Sequence, residues 1–144
     1  MPASFDLRPA AKADFAFCWP IYRDALQPLT QPPGEWREPD QRRIVERALA
    51  HAGASILRSE GADAGWLHVE ETGQVIQLKQ LVLVPAMRNR GLGTSFLDWM
   101  KERADRKRKD LNAELMTNSP ARHLLERLGF KAVMTTDNKV TMRY

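Results

Sequence analysis

The sequence has one cysteine among its 144 residues and no long apolar run. A single cysteine excludes an internal disulfide and a cysteine-rich zinc site, so Cys18 is expected to fill the core. The longest apolar run, residues 81–85, is far too short to cross a bilayer, and the opening residues contain no apolar signal core. We therefore expect a cytoplasmic protein without a membrane partner.

Metal-ligand motifs are also missing. His51, His68 and His123 show no ligand spacing with one another along the sequence. We expect no metal site, and each histidine is interpreted as structural or solvated.

The overall composition is that of an ordinary globular protein, with 43% apolar and 28% charged residues. Its length matches one average domain, so we expect residues 1–144 to form a single domain. Lys and Arg number 22 against 18 Asp and Glu, a net charge of +4. This excess favours an anionic partner and leaves nucleic acid, a nucleotide and a phosphorylated cofactor open.

The first half of the chain predicts two helices followed by strands. Residues 4–10 indicate an edge strand, and helical spacing from Phe15 to Leu26 predicts a helix that kinks or starts at Pro20. Pro39 suits the first turn of a second helix. Three strands, at 54–58, 65–71 and 75–84, are then separated by turns too short for crossovers, which predicts an antiparallel meander. The apolar end of the third strand, from Leu81, is expected to be buried on both faces.

The second half predicts a parallel βαβ unit and a final hairpin. Leu92, Phe96, Leu97 and Met100 share one face of a helix, and a strand at 111–117 follows it. A short helix then ends at Gly129, a predicted left-handed cap, and strands at 130–134 and 139–144 form a hairpin. Together these elements predict a mixed α/β fold with helices on both faces of a sheet.

Between the third strand and the following helix lies a turn rich in glycine and arginine. The first backbone N–H groups of a helix lack partners and its dipole attracts anions, so this turn predicts a phosphate site. Gly91 and Gly93 permit close approach, while Arg88, Arg90 and Thr94 add charge and a hydroxyl donor. The turn lacks the Gly-Lys-Ser/Thr of a P-loop, and Phe96 stands where a dinucleotide fingerprint has its third glycine.

Two segments resemble motifs of the GNAT superfamily of N-acetyltransferases. Residues 88–93 read Arg-Asn-Arg-Gly-Leu-Gly and match its acyl-coenzyme A signature, Arg-x-x-Gly-x-Gly. Residues 117–130 match a second family segment through Asn118, Ala121, Leu124, Gly129 and Phe130. The resemblance covers about residues 75–144. Residues 4–74 resemble the family only in the order of their predicted helices and strands.

The resemblance implies a GNAT-like, mostly antiparallel central sheet that is splayed in the middle. It implies acetyl transfer from acetyl-coenzyme A to a primary amine of a small molecule or peptide, by direct attack in a ternary complex. The cofactor would pair with the backbone of Leu81, Val82 and Leu83 and would contact Asn118. Its pyrophosphate would be held at the turn by Arg88, Asn89, Arg90, Gly91, Leu92, Gly93 and Thr94.

The acid, the base and the acceptor pocket are not identified by the resemblance. Leu125 stands where many members carry a tyrosine acid, and Lys79 where some carry a glutamate base. Glu35, Glu70 and Glu71 are candidate bases, and a water relay to bulk solvent is the alternative. Tyr22 and Trp36 are our candidates for lining the acceptor pocket, and packing in the core is their alternative interpretation.

Two other functions stay open. The departures at Leu125 and Lys79 are compatible with a coenzyme A-binding regulator that has lost catalysis. The basic residues 101–109 are compatible with a nucleic-acid-binding module, although a solvated helix end is the simpler interpretation. The sequence leaves the acceptor, the acyl length and the oligomeric state open, a homodimer included.

Overall fold

The strands and helices follow the predicted order. The computed structural model describes residues 3–30 and 32–144, and within them it contains seven strands and four α-helices. The strands are β1 (Asp6–Pro9), β2 (Ala54–Ser59), β3 (Ala62–Glu71), β4 (Val75–Leu83), β5 (Asp110–Met116), β6 (Lys131–Thr135) and β7 (Lys139–Arg143). The helices are α1 (Phe15–Leu26), α2 (Glu38–Leu49), α3 (Leu92–Lys107) and α4 (Ala121–Arg127).

All seven strands belong to one sheet in the order β1-β2-β3-β4-β5-β7-β6. Neighbouring strands are antiparallel except β4 and β5, which are parallel and connected through α3. The predicted meander, βαβ unit and terminal hairpin are therefore confirmed. The last strand, β7, lies between β5 and β6.

Apolar side chains alternate between two cores, one on each face of the sheet. Ile56 and Trp66 pack with α1 and α2, whereas their neighbours Leu57 and Leu67 belong to the core that contains α3. This alternation is the period-two pattern of strands that are buried on both faces. It confirms the predicted helices on both faces of the sheet.

Proline and glycine act as the sequence predicts at the helix ends, with one difference. Pro39 lies in the first turn of α2, and Gly129 follows α4 with a φ of 95°. Of the two alternatives for Pro20, a helix start at this residue is wrong, since α1 begins at Phe15 and continues through Pro20 to Leu26, and a kink there stays a prediction. Packing of the buried Cys18, Trp19 and Tyr22 offsets the hydrogen bond that the proline removes.

The apolar end of β4 is less buried than predicted. Val82 is buried, but Leu81 and Leu83 are only half-buried. The reason is that β5 no longer runs beside β4 at this level, as described below. Within residues 3–30 and 32–144, no helix combines the length and the apolar character that a membrane span requires.

Candidate functional site

The two parallel strands at the centre of the sheet separate part of the way along their length. β4 and β5 pair only from Val75 opposite Asp110 to Leu78 opposite Ala113. Beyond this point, within the residues that the structure describes, β4 pairs only with β3 and β5 only with β7. A gap therefore opens between residues 79–83 and residues 114–116, as the predicted splayed sheet requires.

One edge of this gap is a row of backbone groups from β4. The Val84 N–H donates to the Ala64 carbonyl on β3 at 2.8 Å, so the alternation of an antiparallel ladder turns the N–H groups of Leu81 and Leu83 toward the gap. The Leu83 carbonyl accepts a hydrogen bond from Arg88 Nε at 3.1 Å. The two N–H groups remain available to a ligand that lies along the edge like another strand.

At the upper end of the gap, the turn before α3 presents backbone N–H groups to open space. Asn89 and Gly91 adopt left-handed conformations, with φ of 60° and 80°. Across the described part of the chain, the N–H groups of residues 89–94 have no acceptor. Among the described residues, a Cβ at Gly91 would meet nothing within 4 Å, and one at Gly93 would make ordinary contacts with Leu124 at 3.7 Å and Leu83 at 4.0 Å.

Two guanidinium groups flank this turn. Arg88 and Arg90 are exposed, and neither forms an ion pair with a residue that the structure describes. Leu92 is 1% exposed and holds the first turn of α3 in the core. Thr94, two residues later, is half-buried. The helix dipole, the unpaired amides and the two positive charges are the features that favour binding of an anion at this turn.

Asn118 lies beyond the end of β5, on the other side of the gap. Its Nδ2 donates to the Leu29 carbonyl at 3.0 Å, which connects this strand end to the segment between α1 and α2. A cavity of about 350 Å³ adjoins it. Its lining consists of Leu29, Met116, Thr117, Asn118, Asp137 and Asn138.

The two predicted acceptor-pocket aromatics lie in the core beneath α1 and α2. Tyr22 is 2% exposed, and its hydroxyl donates to Gln41 Oε1 at 2.6 Å. Burial raises the pKa of Tyr22 to about 12. Trp36 is half-buried and packs against Tyr22 and Trp19. Tyr22 thus has almost no surface to offer a ligand, and Trp36 has more.

The lower end of the gap carries an ion pair that sequence reasoning missed. Lys79 Nζ lies 3.3 Å from Glu114 Oε2 on β5 and 3.8 Å from Glu70 Oε2 on β3. Gln77 Nε2 also donates to Glu114 Oε2, at 2.8 Å. Glu114 occupies the first position after the last β4–β5 pair, a fact that no local pattern reveals.

Leu125 stands where the family resemblance leads us to expect a tyrosine. It is 5% exposed and packs in the core that contains α3.

The three candidate glutamates lie in different surroundings. Glu71 faces α3 and is bound by Lys107 and Lys109, both at 2.6 Å, which lower the pKa of Glu71 to about 2. Arg103 approaches the same carboxylate at 3.6 Å, so part of the basic run contacts this carboxylate. Glu35 is exposed, and Glu70 lies beside Lys79.

Two of the three histidines meet in space although their sequence spacing gave no sign of it. The rings of His51 and His68 lie 4.7 Å apart, centroid to centroid, with Glu70 next to both. Burial and the neighbouring His51 lower the pKa of His68. The expectation of no metal site relies on spacing along the chain, which does not reveal that the rings of His51 and His68 lie side by side. His123 lies apart on α4 and is exposed.

Comparison with known proteins identifies the same family as the motifs. The sequence matches the acetyltransferase (GNAT) family over residues 10–130. No curated protein matches the chain closely.

Solved structures share the fold at low sequence identity. A PaiA N-acetyltransferase from Thermoplasma acidophilum, solved in complex with coenzyme A, superposes with a TM-score of 0.72 at 12% identity, over 97% of this chain and 98% of that one. An acetyltransferase from Thermus thermophilus gives 0.69 at 18% identity, over 100% and 99%. A GNAT acetyltransferase from Listeria monocytogenes gives 0.69 at 14% identity, over 100% and 98%.

Proposed function

Because the chain belongs to the GNAT family of acetyltransferases, we propose that it transfers acetyl from acetyl-coenzyme A to a primary amine of a small molecule or peptide. The observation that carries this proposal is the turn before α3, where unpaired amides and two guanidinium groups without an ion-pair partner in the described residues adjoin the gap between β4 and β5. A diphosphate attached to an extended, amide-containing arm matches both features.

The donor is held along β4. Residues 89–94 donate to the pyrophosphate, with Arg88 and Arg90 supplying charge. The arm runs down the gap, where the N–H groups of Leu81 and Leu83 and the side chain of Asn118 meet its amides. Residues from both halves of the chain line this path, since the Asn118 side chain donates a hydrogen bond to the Leu29 carbonyl. We therefore treat residues 1–144 as one acetyltransferase domain.

The thioester reaches the lower end of the gap, near Lys79 and Glu114. There the amine nitrogen attacks the carbonyl carbon, a C–N bond forms, the C–S bond breaks with release of a thiolate, and the extra proton on the new amide nitrogen passes to the thiolate or to water. A backbone N–H group at the open edge of β4 stabilises the oxyanion. Of the two groups described above, the N–H of Leu81 lies nearer the lower end of the gap than that of Leu83. A thiol titrates near pH 8.5, so the thiolate leaves without a dedicated acid and Leu125 is tolerated.

Glu114 is the proton acceptor in this proposal. An amine that arrives as an ammonium ion must lose a proton before or during attack. The Glu114 carboxylate is the acidic group nearest the end of the β4–β5 pairing, and it is 21% exposed. Lys79 orients this carboxylate from across the gap, a role that a charged lysine can fill although it cannot act as the base.

Two measurements test the function. Calorimetry should show that one acetyl-coenzyme A binds per chain, and a panel of amines should release free thiol above the hydrolysis background. Binding without turnover on any amine would instead favour the coenzyme A-binding regulator. No binding at all would refute both readings.

The nucleic-acid alternative is separated by a gel shift at low and moderate salt. Binding to nucleic acid falls steeply with salt because it releases counterions. We expect no retardation, since Glu71 already engages Arg103, Lys107 and Lys109.

A further inference from the structure

We propose that His51, His68 and Glu70 form a binding site for a zinc-type divalent metal ion. The site lies beside the end of α2, on the α1–α2 face of the sheet, and it adjoins the lower end of the proposed donor path through Lys79, whose Nζ is 3.8 Å from Glu70 Oε2. It would fasten the turn after α2 to β3. The proposal is independent of acetyl transfer.

A close backbone contact brings the three side chains together. Val69 N–H donates to the Gly53 carbonyl at 3.0 Å, and a Cβ at Gly53 would lie only 1.8 Å from the Val69 carbonyl oxygen. Only glycine allows this approach, which holds the turn carrying His51 against β3. His68 and Glu70, two residues apart on one strand, project from the same face.

His68 has a buried nitrogen without a hydrogen-bond partner. The residue is 8% exposed, and its Nε2 is shielded from solvent and makes no hydrogen bond to any described residue. Glu70 Oε1 lies 3.7 Å from this nitrogen, which is too long for a hydrogen bond. Buried polar atoms normally have a partner, so this nitrogen calls for one.

The distances suit a metal ion. His51 Nε2 lies 4.0 Å from the same Glu70 oxygen, and the ligand atoms of all three residues lie within 4.8 Å of one another. Tetrahedral zinc with bonds near 2.1 Å sets its ligands about 3.4 Å apart. His51 and Glu70 are both partly exposed, at 45% and 42%, so small rotations of their side chains can close the difference. The fourth position would face solvent.

Two neighbours set the affinity of the site. Gly53 N–H donates to His51 Nδ1 at 2.9 Å, so neutral His51 carries its proton on Nε2. Binding through Nε2 must move that proton to Nδ1 and break the Gly53 hydrogen bond. Lys79 Nζ, 3.8 Å from Glu70 Oε2, adds a repelling charge. We therefore expect a site of moderate affinity.

Calorimetric titration of tag-free protein with zinc alone tests the proposal. We expect one ion per chain, and binding weakened more than about tenfold in His51→Ala and in Glu70→Gln. Both substitutions change partly exposed side chains, and melting curves of the metal-free variants check that they fold. His123→Ala is the matched control, since His123 also lies near a glutamate, 3.8 Å from Glu126. It should bind zinc like the wild type.

Two further readouts are specific to this geometry. Lys79→Met should bind zinc more tightly than the wild type, and zinc saturation should shift the Gly53 amide resonance because its acceptor is lost. Absence of binding, wild-type binding by His51→Ala or Glu70→Gln, or an unchanged Gly53 resonance at saturation would each overturn the site.

Discussion

Lys79 and Glu114 face each other across the point where β4 and β5 part, with Lys79 Nζ 3.3 Å from Glu114 Oε2. The two residues lie on neighbouring strands but are 35 positions apart in the chain. Its position at the lower end of the gap underlies the first prediction.

Glu114→Gln should reduce turnover and leave donor binding intact. Loss of a general base typically costs about 10²-fold or more in rate. We expect a fall of that size in kcat with the best amine, while calorimetric affinity for acetyl-coenzyme A changes less than about twofold. Glu102→Gln, an exposed change on α3, is the control. An unchanged kcat in Glu114→Gln would exclude this carboxylate as the proton acceptor.

Gly93→Asp should weaken coenzyme A binding at least tenfold relative to Gly93→Asn, about 1.4 kcal/mol. The two side chains have nearly the same volume, and a Cβ at this position makes only an ordinary contact with Leu124. The difference between them therefore measures a negative charge beside the pyrophosphate. Equal affinities by calorimetry would place the pyrophosphate elsewhere.

Arg90→Ala should weaken binding of coenzyme A but not of S-acetylpantetheine, which lacks the pyrophosphate. Arg90 is exposed and has no ion-pair partner in the described residues, so we expect a loss of about fivefold, corresponding to roughly 1 kcal/mol. Arg106→Ala, near the opposite end of α3, serves as the control. A parallel loss for both ligands would argue against a phosphate contact.

Asp14→Asn should lower stability in a pH-dependent way. Arg8 Nη2 donates to Asp14 Oδ1 at 2.8 Å and Ala11 N–H to Oδ2 at 2.8 Å, which connects β1 to the start of α1. The Arg8 guanidinium, helped by the Ala11 amide, holds the pKa of Asp14 below its ordinary 3.8. Because the pKa of Asp14 is lower in the native state, its ionised carboxylate stabilises the fold fully above about pH 4. This contribution is lost as the pH falls through the native-state pKa of Asp14.

Urea unfolding at several pH values measures this effect. We expect the free energy of unfolding to fall by about 1 kcal/mol at pH 7 in Asp14→Asn, and the difference from the wild type to shrink in acid. A difference that stays constant from neutral pH to pH 2 would show that the ion pair is not its cause.

Local signals predicted most of the fold. Pro39, Gly91 and Gly129 each determine backbone geometry over a few residues, and the sequence therefore located the helix ends and the glycine turn before α3. Alternation of apolar residues likewise predicted the strands, because its physical basis is the pleat of a single strand.

Features that depend on register across the sheet could not be predicted. Nothing near Glu114 indicates that β5 leaves β4 one residue earlier, or that this carboxylate meets Lys79. The approach of His51 to His68 depends on the contact between Gly53 and Val69, which the sequence does not indicate. The sequence does indicate, however, that His68 and Glu70 lie on the same face of one strand. The residue type of Tyr22 suits the lining of a pocket, whereas its burial depends on how α1 packs against β3.

The insertion of β7 between β5 and β6 has a consequence for synthesis on the ribosome. Glu114 pairs with Thr141, so one side of the gap acquires its neighbour only when that late segment has left the exit tunnel. Until then, β5 and β6 each expose a free hydrogen-bonding edge. A nascent chain stalled before residue 139 should therefore be unable to capture coenzyme A and should be prone to pairing with other growing polypeptides.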